Sequence, residues 1–289
     1  MTITYDINDV APYINWAYFY FAWQLKNEVE QQHIRQEAET FLHTLGTRYK
    51  CRAVFLLADA YADGDDIMVA AGGHDTATEA GGFRPSVYRL PMLRQQQAGS
   101  DYLCLADFIS PCLADPTPRP SSLTSRIGLF ATSVDATMVS DFDDDPYQKM
   151  MAQLLADRLA EATAERLHKE VRKRYWGYAQ DEHLSIREMQ QEHFQGIRPA
   201  VGYPSLPDAS LNFLLDRLLD MRQIGITLTE SGAMQPHASV SGLMMAHPQA
   251  RYFDVGKIGD DQLTDYARRR GMPVDELRRF LIANLINNR

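Results

Sequence analysis

The chain has 289 residues, of which 45% are hydrophobic and 23% are charged, the composition of a folded globular protein. Its formal net charge of −9 argues against a broad surface for nucleic acid or an anionic membrane. No apolar run reaches membrane-spanning length. Three cysteines without Cys-x-x-Cys spacing, and no signal peptide, predict reduced thiols in a cytoplasmic protein.

The first part of the chain predicts an aromatic helix and a surface helix after a short extended lead-in over residues 1–10. Residues 11–25 contain seven aromatic side chains, and four of them recur on one helical face: Trp16, Phe19, Tyr20 and Trp23. Such a stripe predicts a helix that anchors the core. Asn15 lies beside the stripe and suits a capping or turn position. Residues 28–45, which Gly46 follows, predict a surface helix.

The next part of the chain predicts a hairpin and then several short elements. Residues 51–57 and 67–70 are predicted strands joined by a rather long loop. The acidic run at residues 63–66 lacks the spaced oxygen ligands of a calcium loop, so no metal site is predicted there. Residues 72–82 are rich in glycine but match no phosphate-binding loop. Beyond them the sequence predicts a helix at 91–98, a strand at 102–109, a proline-rich loop at 111–120 and a strand at 127–132.

The longest predicted helix covers residues 147–175. An acidic run and Pro146 precede it, and basic residues end it, as the helix dipole prefers. Asp157 and Glu161 lie four residues apart on its polar face, and a solvated face with salt bridges is the structural explanation. A shorter capped helix is predicted over residues 185–193.

Residues 195–204, QGIRPAVGYP, are the most distinctive stretch of the sequence. Pro199 and Pro204 fix the backbone and remove donors, while Gly202 permits a positive φ. The segment therefore predicts neither a helix nor an ordinary ladder strand but a stiff extended loop. Such a loop can present backbone groups to a ligand, and Arg198 can add a planar fork for a carboxylate. A rigid connection between two elements is the structural alternative.

The C-terminal part of the chain mixes helices and strands without regular alternation. The predicted elements are helices at 208–225, 259–270 and 273–285 and strands at 227–229, 239–246 and 252–258. No repeat and no low-complexity linker divides the sequence. This order predicts one α+β domain over residues 1–289 with an antiparallel or mixed sheet.

Segments along most of the chain match one known family in the same order. They lie at residues 13–16, 104–111, 155–179, 195–208, 228–243, 247–253 and 265–281. Among them, the Arg-Pro-Ala-x-Gly-Tyr-Pro core at 198–204 is the most specific. Together they resemble the activation domain of cobalamin-dependent methionine synthase. The resemblance implies a single C-shaped α+β domain with a twisted antiparallel sheet flanked by helices.

The resemblance also implies a ligand, S-adenosylmethionine, and a reaction. In this family the domain presents the methyl donor for reductive methylation of cob(II)alamin, and a flavodoxin-type donor supplies the electron. The protein's part is to position the methyl donor, so no acid–base residue is implied. The implied partners are the cobalamin-binding methionine synthase modules, and cobalamin is reached only through them.

Ten residues correspond to ligand-site or nearby positions of the family. They are Asn15, Glu161, Glu192, Arg198, Pro199, Ala200, Gly202, Tyr203, Tyr252 and Phe253. Arg198, Ala200 and Tyr203 match the loop that binds the methionine and adenosine parts. Glu161 and Glu192 match acidic positions near the ligand or near the interface with the cobalamin module.

Three positions depart from the family pattern. Asn15 stands where the family usually has an aspartate that contacts the ligand's ammonium, a change of about 1 kcal/mol, on the order of fivefold in affinity. Val201 replaces the second proline of the loop. Phe253 follows Tyr252 in the aromatic pair but lacks the hydroxyl of the usual second tyrosine. Together these changes predict weaker S-adenosylmethionine binding with an intact pocket.

The family's domain is normally the C-terminal module of a longer enzyme, and here the resemblance begins a few residues after Met1. The cobalamin signature Asp-x-His-x-x-Gly is also missing, because Ile186 stands where the glycine after Asp181 and His183 is required. The chain is therefore expected to act in trans on a partner that carries cobalamin. The alternative is a non-catalytic docking or regulatory relative that has lost S-adenosylmethionine binding.

Overall fold

The computed structural model describes residues 1–71, 86–111 and 123–286, in which an antiparallel sheet has helices on both faces. The strands are β1 (Thr2–Asp6), β2 (Lys50–Asp63), β3 (Asp66–Ala71), β4 (Ser86–Pro91), β5 (Arg126–Val134), β6 (Thr227–Leu228), β7 (Met234–Gln235) and β8 (Ser239–Met244). The α-helices are α1 (Ile7–Val10), α2 (Trp16–Ala22), α3 (Glu28–Leu45), α4 (Thr137–Ser140), α5 (Pro146–Glu170), α6 (Ile186–Gln190), α7 (Leu211–Leu219), α8 (Asp260–Arg270) and α9 (Val274–Phe280). This arrangement confirms the predicted α+β class.

The long strand β2 organises the sheet. Strand β5 pairs along one of its edges, while β1 and β3 pair with successive parts of the other edge. Strand β4 continues the sheet beyond β3, and β8 continues it beyond β5, so the order is β4-β3-β2-β5-β8 with β1 beside β2. Every pairing is antiparallel. Strands β6 and β7 form a separate two-stranded ribbon.

Strand β5 is buried on both faces, which explains its continuous apolar sequence. Because side chains alternate along a strand, Phe130 packs into the cluster that contains α5, while Leu129 and Ala131 pack into the cluster that contains α7. The Thr132 hydroxyl donates a hydrogen bond of 3.0 Å to the Ala160 carbonyl of α5. This contact helps to fix α5 over the centre of the sheet.

Helix α5 begins and ends as the charge pattern predicts. The Asp145 carboxylate caps it by accepting hydrogen bonds of 3.0 Å from the backbone of Tyr147 and of Gln148. At its end the helix widens into a π-helical turn, Val171–Tyr175, in which the Trp176 N–H donates to the Val171 carbonyl at 2.9 Å. The predicted helix over residues 147–175 is thus confirmed, with a wider last turn.

Two N-terminal predictions are only partly correct. The extended lead-in over residues 1–10 is confirmed for β1, which pairs with β2, but α1 follows it directly. The hairpin between β2 and β3 has a two-residue turn instead of a long loop, since β2 continues to Asp63 and pairs with Asp66. The acidic residues of this turn form ion pairs: Asp65 with Arg94 and Asp66 with Arg89, each at 2.6 Å.

Three further predictions fail where long-range contacts set the backbone. Residues 92–98 are irregular instead of helical, and residues 102–109 contain the 3₁₀-helix Leu105–Phe108 instead of a strand. Both segments are tied to Arg94, whose guanidinium also binds the Asp107 carboxylate at 2.7 Å. Residues 252–257 form no strand. The predicted features at 72–82 and most of 111–120 lie outside the described residues.

Within the described ranges, no helix is long and apolar enough to cross a membrane. The same ranges contain no group of three His, Cys, Asp or Glu side chains that could hold a metal ion. Cys51 and Cys104 are buried free thiols, and burial raises the pKa of each to about 12, which makes them poor nucleophiles. Cys112 lies outside the part of the chain that the structure describes.

Candidate functional site

A cavity of about 590 Å³ opens beside α5, a volume typical of small-molecule sites. Its wall contains nine of the ten residues singled out in the sequence: Asn15, Glu161, Glu192, Arg198, Pro199, Ala200, Tyr203, Tyr252 and Phe253. Gly202 does not line it; its backbone N–H donates to the Leu206 carbonyl at 2.8 Å. Segments that are far apart in the sequence therefore meet around one cavity.

The loop at residues 195–204 forms one wall because it runs beside β8. Ile197 exchanges both backbone hydrogen bonds with Met245, each at 2.9 Å, and the Leu243 N–H donates to the Pro199 carbonyl at 3.0 Å. The segment belongs to no strand, as predicted, but isolated β-bridges join Ile197 to Met245 and Ala200 to Gly242. Pro199, between the two bridges, has no backbone donor to offer.

Gly242 of β8 allows the loop to approach so closely. A side-chain carbon at this position would lie 2.2 Å from the Pro199 carbonyl oxygen and 2.9 Å from the Ala200 Cα. Only glycine leaves room for the backbone at this contact. The position of the cavity wall at residues 199–200 therefore depends on the absence of a side chain on β8.

An ion pair between Arg198 and Glu165 lies in the cavity wall. The Arg198 guanidinium contacts the Glu165 carboxylate at 2.9 Å, and both side chains are largely buried. The Arg198 backbone N–H donates to the Tyr252 hydroxyl, also at 2.9 Å. Arg198 Nε and Glu165 Oε1 are buried and have no hydrogen-bond partner among the described residues. Buried polar atoms rarely stay unsatisfied, so this part of the wall carries one donor and one acceptor without a protein partner.

Tyr203 and Glu161 meet at the cavity mouth. The Tyr203 hydroxyl donates a hydrogen bond to the Glu161 carboxylate of α5. Burial, with the charge of Glu161, raises the pKa of Tyr203, which keeps the phenol protonated as a donor. The Tyr203 side chain remains 51% exposed although it lines the cavity, and Tyr18 of α2 is 61% exposed. These two rings mark the open side.

Glu192 is a second acidic group of the wall. Burial raises the pKa of Glu192, the charge of Glu165 raises it further, and the charge of Arg198 acts in the opposite direction. Its backbone has φ of 59°, a conformation uncommon for a residue with a side chain. Glu192 therefore loses its charge at a higher pH than an exposed glutamate does.

Asn15 both caps helix α2 and lines the cavity. Its Oδ1 accepts a hydrogen bond of 3.2 Å from the Ala17 N–H, so the residue caps α2 as its sequence position suggested. Asn15 also lines the cavity. The cap holds the side chain at the N-terminus of α2, where an anion would be stabilised by the helix dipole.

A family comparison fits this geometry. The sequence model of the family "Vitamin B12 dependent methionine synthase, activation domain" matches residues 6–271 of this chain. The chain belongs to this family. The fold agrees with the assignment, since a crystal structure of the MetH reactivation domain bound to AdoHcy superposes with a TM-score of 0.84 at 36% sequence identity. The match covers 99% of this chain and 90% of that one.

The predicted membership of the activation-domain family is thereby confirmed, as is its fold with an open antiparallel sheet. In this activation domain the predicted solvated face of α5 is only half correct. Asp157 contacts the exposed His237 at 3.2 Å, while Glu161, one turn further, lines the cavity.

The sequence interpretation overlooked other residues of the activation domain's cavity. The most important is Glu165, which continues the four-residue spacing of Asp157 and Glu161 along α5 and could have been found by extending it. Phe194 also lines the cavity. No sequence pattern singles it out, because its neighbours in the wall come from distant parts of the chain.

Ser205, which directly follows the loop at residues 195–204, holds the aromatic pair Tyr252 and Phe253 in place. The Phe253 N–H donates to the Ser205 hydroxyl oxygen at 3.0 Å, and that hydroxyl donates to the Phe253 carbonyl. These two hydrogen bonds with Ser205, and not a strand as predicted for residues 252–258, fix the backbone here. They keep Tyr252 against Arg198 without the hydrogen bonds of a sheet.

Proposed function

We propose that this activation domain binds S-adenosylmethionine in the cavity and presents its methyl group to cobalamin carried by methionine synthase modules. The observation that carries the proposal is the convergence of Asn15, Arg198, Tyr203 and Tyr252 on one cavity. The neighbour of similar fold is bound to AdoHcy, the product that remains when S-adenosylmethionine has lost its methyl group. The same pocket would serve both compounds.

The charges of the cavity suit such a ligand. Its ionisable acidic and basic residues are Arg158, Arg198, Glu161, Glu165 and Glu192, which gives one net negative charge when all are ionised. S-adenosylmethionine carries a sulfonium, an ammonium and a carboxylate, hence one net positive charge. The unpartnered Arg198 Nε can donate to its carboxylate and the unpartnered Glu165 Oε1 can accept from its ammonium.

S-adenosylmethionine supplies an electrophilic methyl group on sulfur when it is bound. The protein residues orient it: the wall at 198–203 is fixed by β8, and the carboxylates of α5 stabilise the positive end of the ligand. Tyr18 and Tyr203 leave the mouth open, so a corrinoid on a partner can approach from that side. No proton transfer by a side chain is needed.

The partner side of the proposal has two components. Cobalamin-binding methionine synthase modules act in trans as the methyl acceptor, a proposal that membership in the activation-domain family supports. A flavodoxin-type protein would supply the electron that cob(II)alamin needs, and cobalamin on the partner would accept the methyl group, so that S-adenosylhomocysteine would remain in the cavity. The activation domain itself changes no oxidation state and holds the methyl donor in place.

Isothermal titration with S-adenosylmethionine tests the proposal directly. We expect saturable binding, and Asn15→Asp should bind about fivefold more tightly because a charged acceptor faces the ligand's ammonium. The aspartate also keeps the cap of α2, so the gain should come without loss of stability. Weaker binding by Asn15→Asp would contradict the role of this position. No heat at about millimolar ligand would leave the docking-module alternative.

Gly242→Ala is expected to lower S-adenosylmethionine affinity at least about tenfold. The new methyl group would overlap the Pro199 carbonyl and displace the cavity wall. Gly271→Ala is the matched control, because Gly271 does not line the cavity, a side-chain carbon there has no neighbour within 4 Å and only the positive φ of 66° is strained. Both variants lose some stability, but calorimetric titration should show reduced affinity for Gly242→Ala alone.

S-adenosylmethionine affinity is also expected to fall as the pH is lowered through the raised pKa of Glu192. Because burial raises this pKa, the negative charge of Glu192 is lost at a higher pH than that of an exposed glutamate, and the attraction for a cationic ligand then weakens. S-adenosylhomocysteine, which lacks the sulfonium charge, should lose less affinity. Titrations at several pH values check this, and Glu192→Gln should flatten the profile. An equally steep profile for Glu192→Gln would assign the effect to another group.

A further inference from the structure

At the cavity wall and directly behind it, five buried polar side-chain atoms have no hydrogen-bond partner in the described part of the chain. They are Glu165 Oε1, both ring nitrogens of His168, Arg172 Nη1 and Arg198 Nε. Glu165, His168 and Arg172 are three and four residues apart, so they lie on the same side of α5 and its π-helical turn. Polar atoms withdrawn from solvent almost always have a partner, so this group marks a place where a polar molecule binds.

His168 connects the cavity wall to the protein interior. Its side chain is fully buried and does not line the cavity. The imidazole meets the ring of Phe194, a cavity residue, edge to face with 5.0 Å between the ring centres. The Arg172 guanidinium lies 4.2 Å from the centre of the same ring. Both side chains therefore lie behind the part of the wall that Phe194 forms.

The imidazole of His168 is neutral in this position. Burial lowers the pKa of His168 well below its usual value, and the positive charges of Arg172 and Arg198 lower it further. In a neutral imidazole one nitrogen donates a hydrogen bond and the other accepts one. His168 therefore needs two partners of opposite kind, and none of the described residues supplies either.

The hydrogen-bonding capacity of the group matches that of water. Arg198 Nε has a single hydrogen, which the carboxylate of the proposed ligand would take, whereas Glu165 Oε1 has lone pairs for the ligand and for a second donor. Without Arg198 Nε, the group consists of two donors, Arg172 Nη1 and one nitrogen of His168, and two acceptors, the other nitrogen and Glu165 Oε1. A water molecule likewise donates twice and accepts twice. An anion would leave the acceptors unpaired, and a metal cation would be repelled by the two guanidinium groups.

We propose that ordered water fills this buried site and that His168, acting through it, is a positioning residue for S-adenosylmethionine. Water between His168 and Glu165 Oε1 fixes the Glu165 carboxylate, and with it the Arg198 guanidinium that this carboxylate binds at 2.9 Å. His168 does not line the cavity, so it acts only on residues that do. The positioning role rests on the proposed function, since it concerns the ligand of the cavity, whereas the water site is independent of that ligand.

Two substitutions separate the hydrogen bonds of His168 from its packing. His168→Phe keeps a ring against Phe194 but removes both nitrogens, while His168→Gln loses the ring and offers a donor and an acceptor again. Thr163→Val is the matched control, because Thr163 is another fully buried polar residue of α5, outside the cavity wall, whose hydroxyl donates to the Leu159 carbonyl. Calorimetric titration with S-adenosylmethionine and thermal unfolding are measured for each full-length variant. A high-resolution crystal structure of the wild type locates ordered water.

We expect water in the wild-type structure within hydrogen-bonding distance of His168 and of Glu165 or Arg172. His168→Phe should bind S-adenosylmethionine about tenfold more weakly, while His168→Gln and Thr163→Val stay within about threefold of wild type. A site that contains no water would overturn the proposal, whatever the affinities are. Wild-type affinity in His168→Phe, or a loss in His168→Gln alone, would show that the ring acts only by packing and would refute the positioning role.

The two measurements also distinguish this proposal from the proposed function. A wild type that holds the water but binds no S-adenosylmethionine would overturn the proposed function and the positioning role with it, and the buried water site alone would stand. A wild type that binds S-adenosylmethionine but holds no water behind the wall would leave the proposed function intact and overturn the inference about His168.

Discussion

Arg198→Ala is expected to weaken S-adenosylmethionine binding by about 10- to 100-fold and to lower the free energy of unfolding by about 3–5 kcal/mol. The guanidinium has two tasks. It pairs with Glu165 in a largely buried position, and its Nε is unpartnered in the cavity wall. Alanine would remove a charged hydrogen-bond donor for the ligand and leave the Glu165 carboxylate buried without its counter-charge. Calorimetric titration and urea unfolding measure the two losses.

A double variant separates these two effects. Arg198→Met combined with Glu165→Leu removes both charges at once, so most of the lost stability should return. S-adenosylmethionine affinity should not return, because the donor and the acceptor for the ligand are both gone. Arg198→Lys keeps the positive charge but loses the planar fork, and an intermediate affinity is expected. Wild-type affinity in Arg198→Ala would exclude this residue from the ligand site.

The elements that could be predicted from sequence are those that local patterns determine. Helix α3 was predicted at its observed bounds, Glu28–Leu45, because Gly46 follows it and its apolar residues keep helical spacing; the structure adds the cap by Asn27. Strand β5 was predicted because burial on both faces makes it continuously apolar. In both cases the information lies within the element.

The elements that were predicted wrongly depend on contacts between distant residues. Residues 92–98 contain Arg94, which binds Asp65 from the β2–β3 turn and Asp107 from the following 3₁₀-helix. These ion pairs determine the irregular backbone, and the spacing of apolar residues within the segment does not reveal them. The backbone of residues 252–253 is likewise fixed by the hydrogen bond between the Phe253 N–H and the Ser205 hydroxyl, and not by a strand pairing. A single sequence shows the residue types but not these partners.

The candidate site shows the same division. The composition of residues 195–204 correctly indicated an irregular, stiff segment, and the family resemblance grouped it with Asn15 and Tyr252 in one ligand site. What composition missed is the pairing with β8, because a ladder with a proline is possible only where the partner, here Gly242, admits a close backbone. Residue types are visible in the sequence, whereas the fit between two backbones appears only when both are placed.

Arg172→Gln is expected to be the most destabilising single change outside the cavity, at about 3–5 kcal/mol. Arg172 is fully buried and binds the Glu182 carboxylate with two hydrogen bonds, at 2.7 and 2.8 Å. Glutamine is neutral and too short to replace both, so a buried carboxylate would lose its counter-charge. Arg268→Gln is the control: its pair with Asp265 is exposed and should contribute less than about 1 kcal/mol.

The Arg172 pair also tests how the cavity is supported. The Arg172 guanidinium lies 4.2 Å from the ring centre of Phe194, which lines the cavity, and Glu182 follows the π-helical turn. If the pair holds this wall only indirectly, folded Arg172→Gln protein should bind S-adenosylmethionine within about threefold of wild type, a difference under 1 kcal/mol. Urea unfolding and calorimetric titration on the same preparation compare the two quantities. A large loss of affinity without a loss of stability would mean that Arg172 acts on the ligand itself. Its positive charge would then have to be added to the net charge of the cavity.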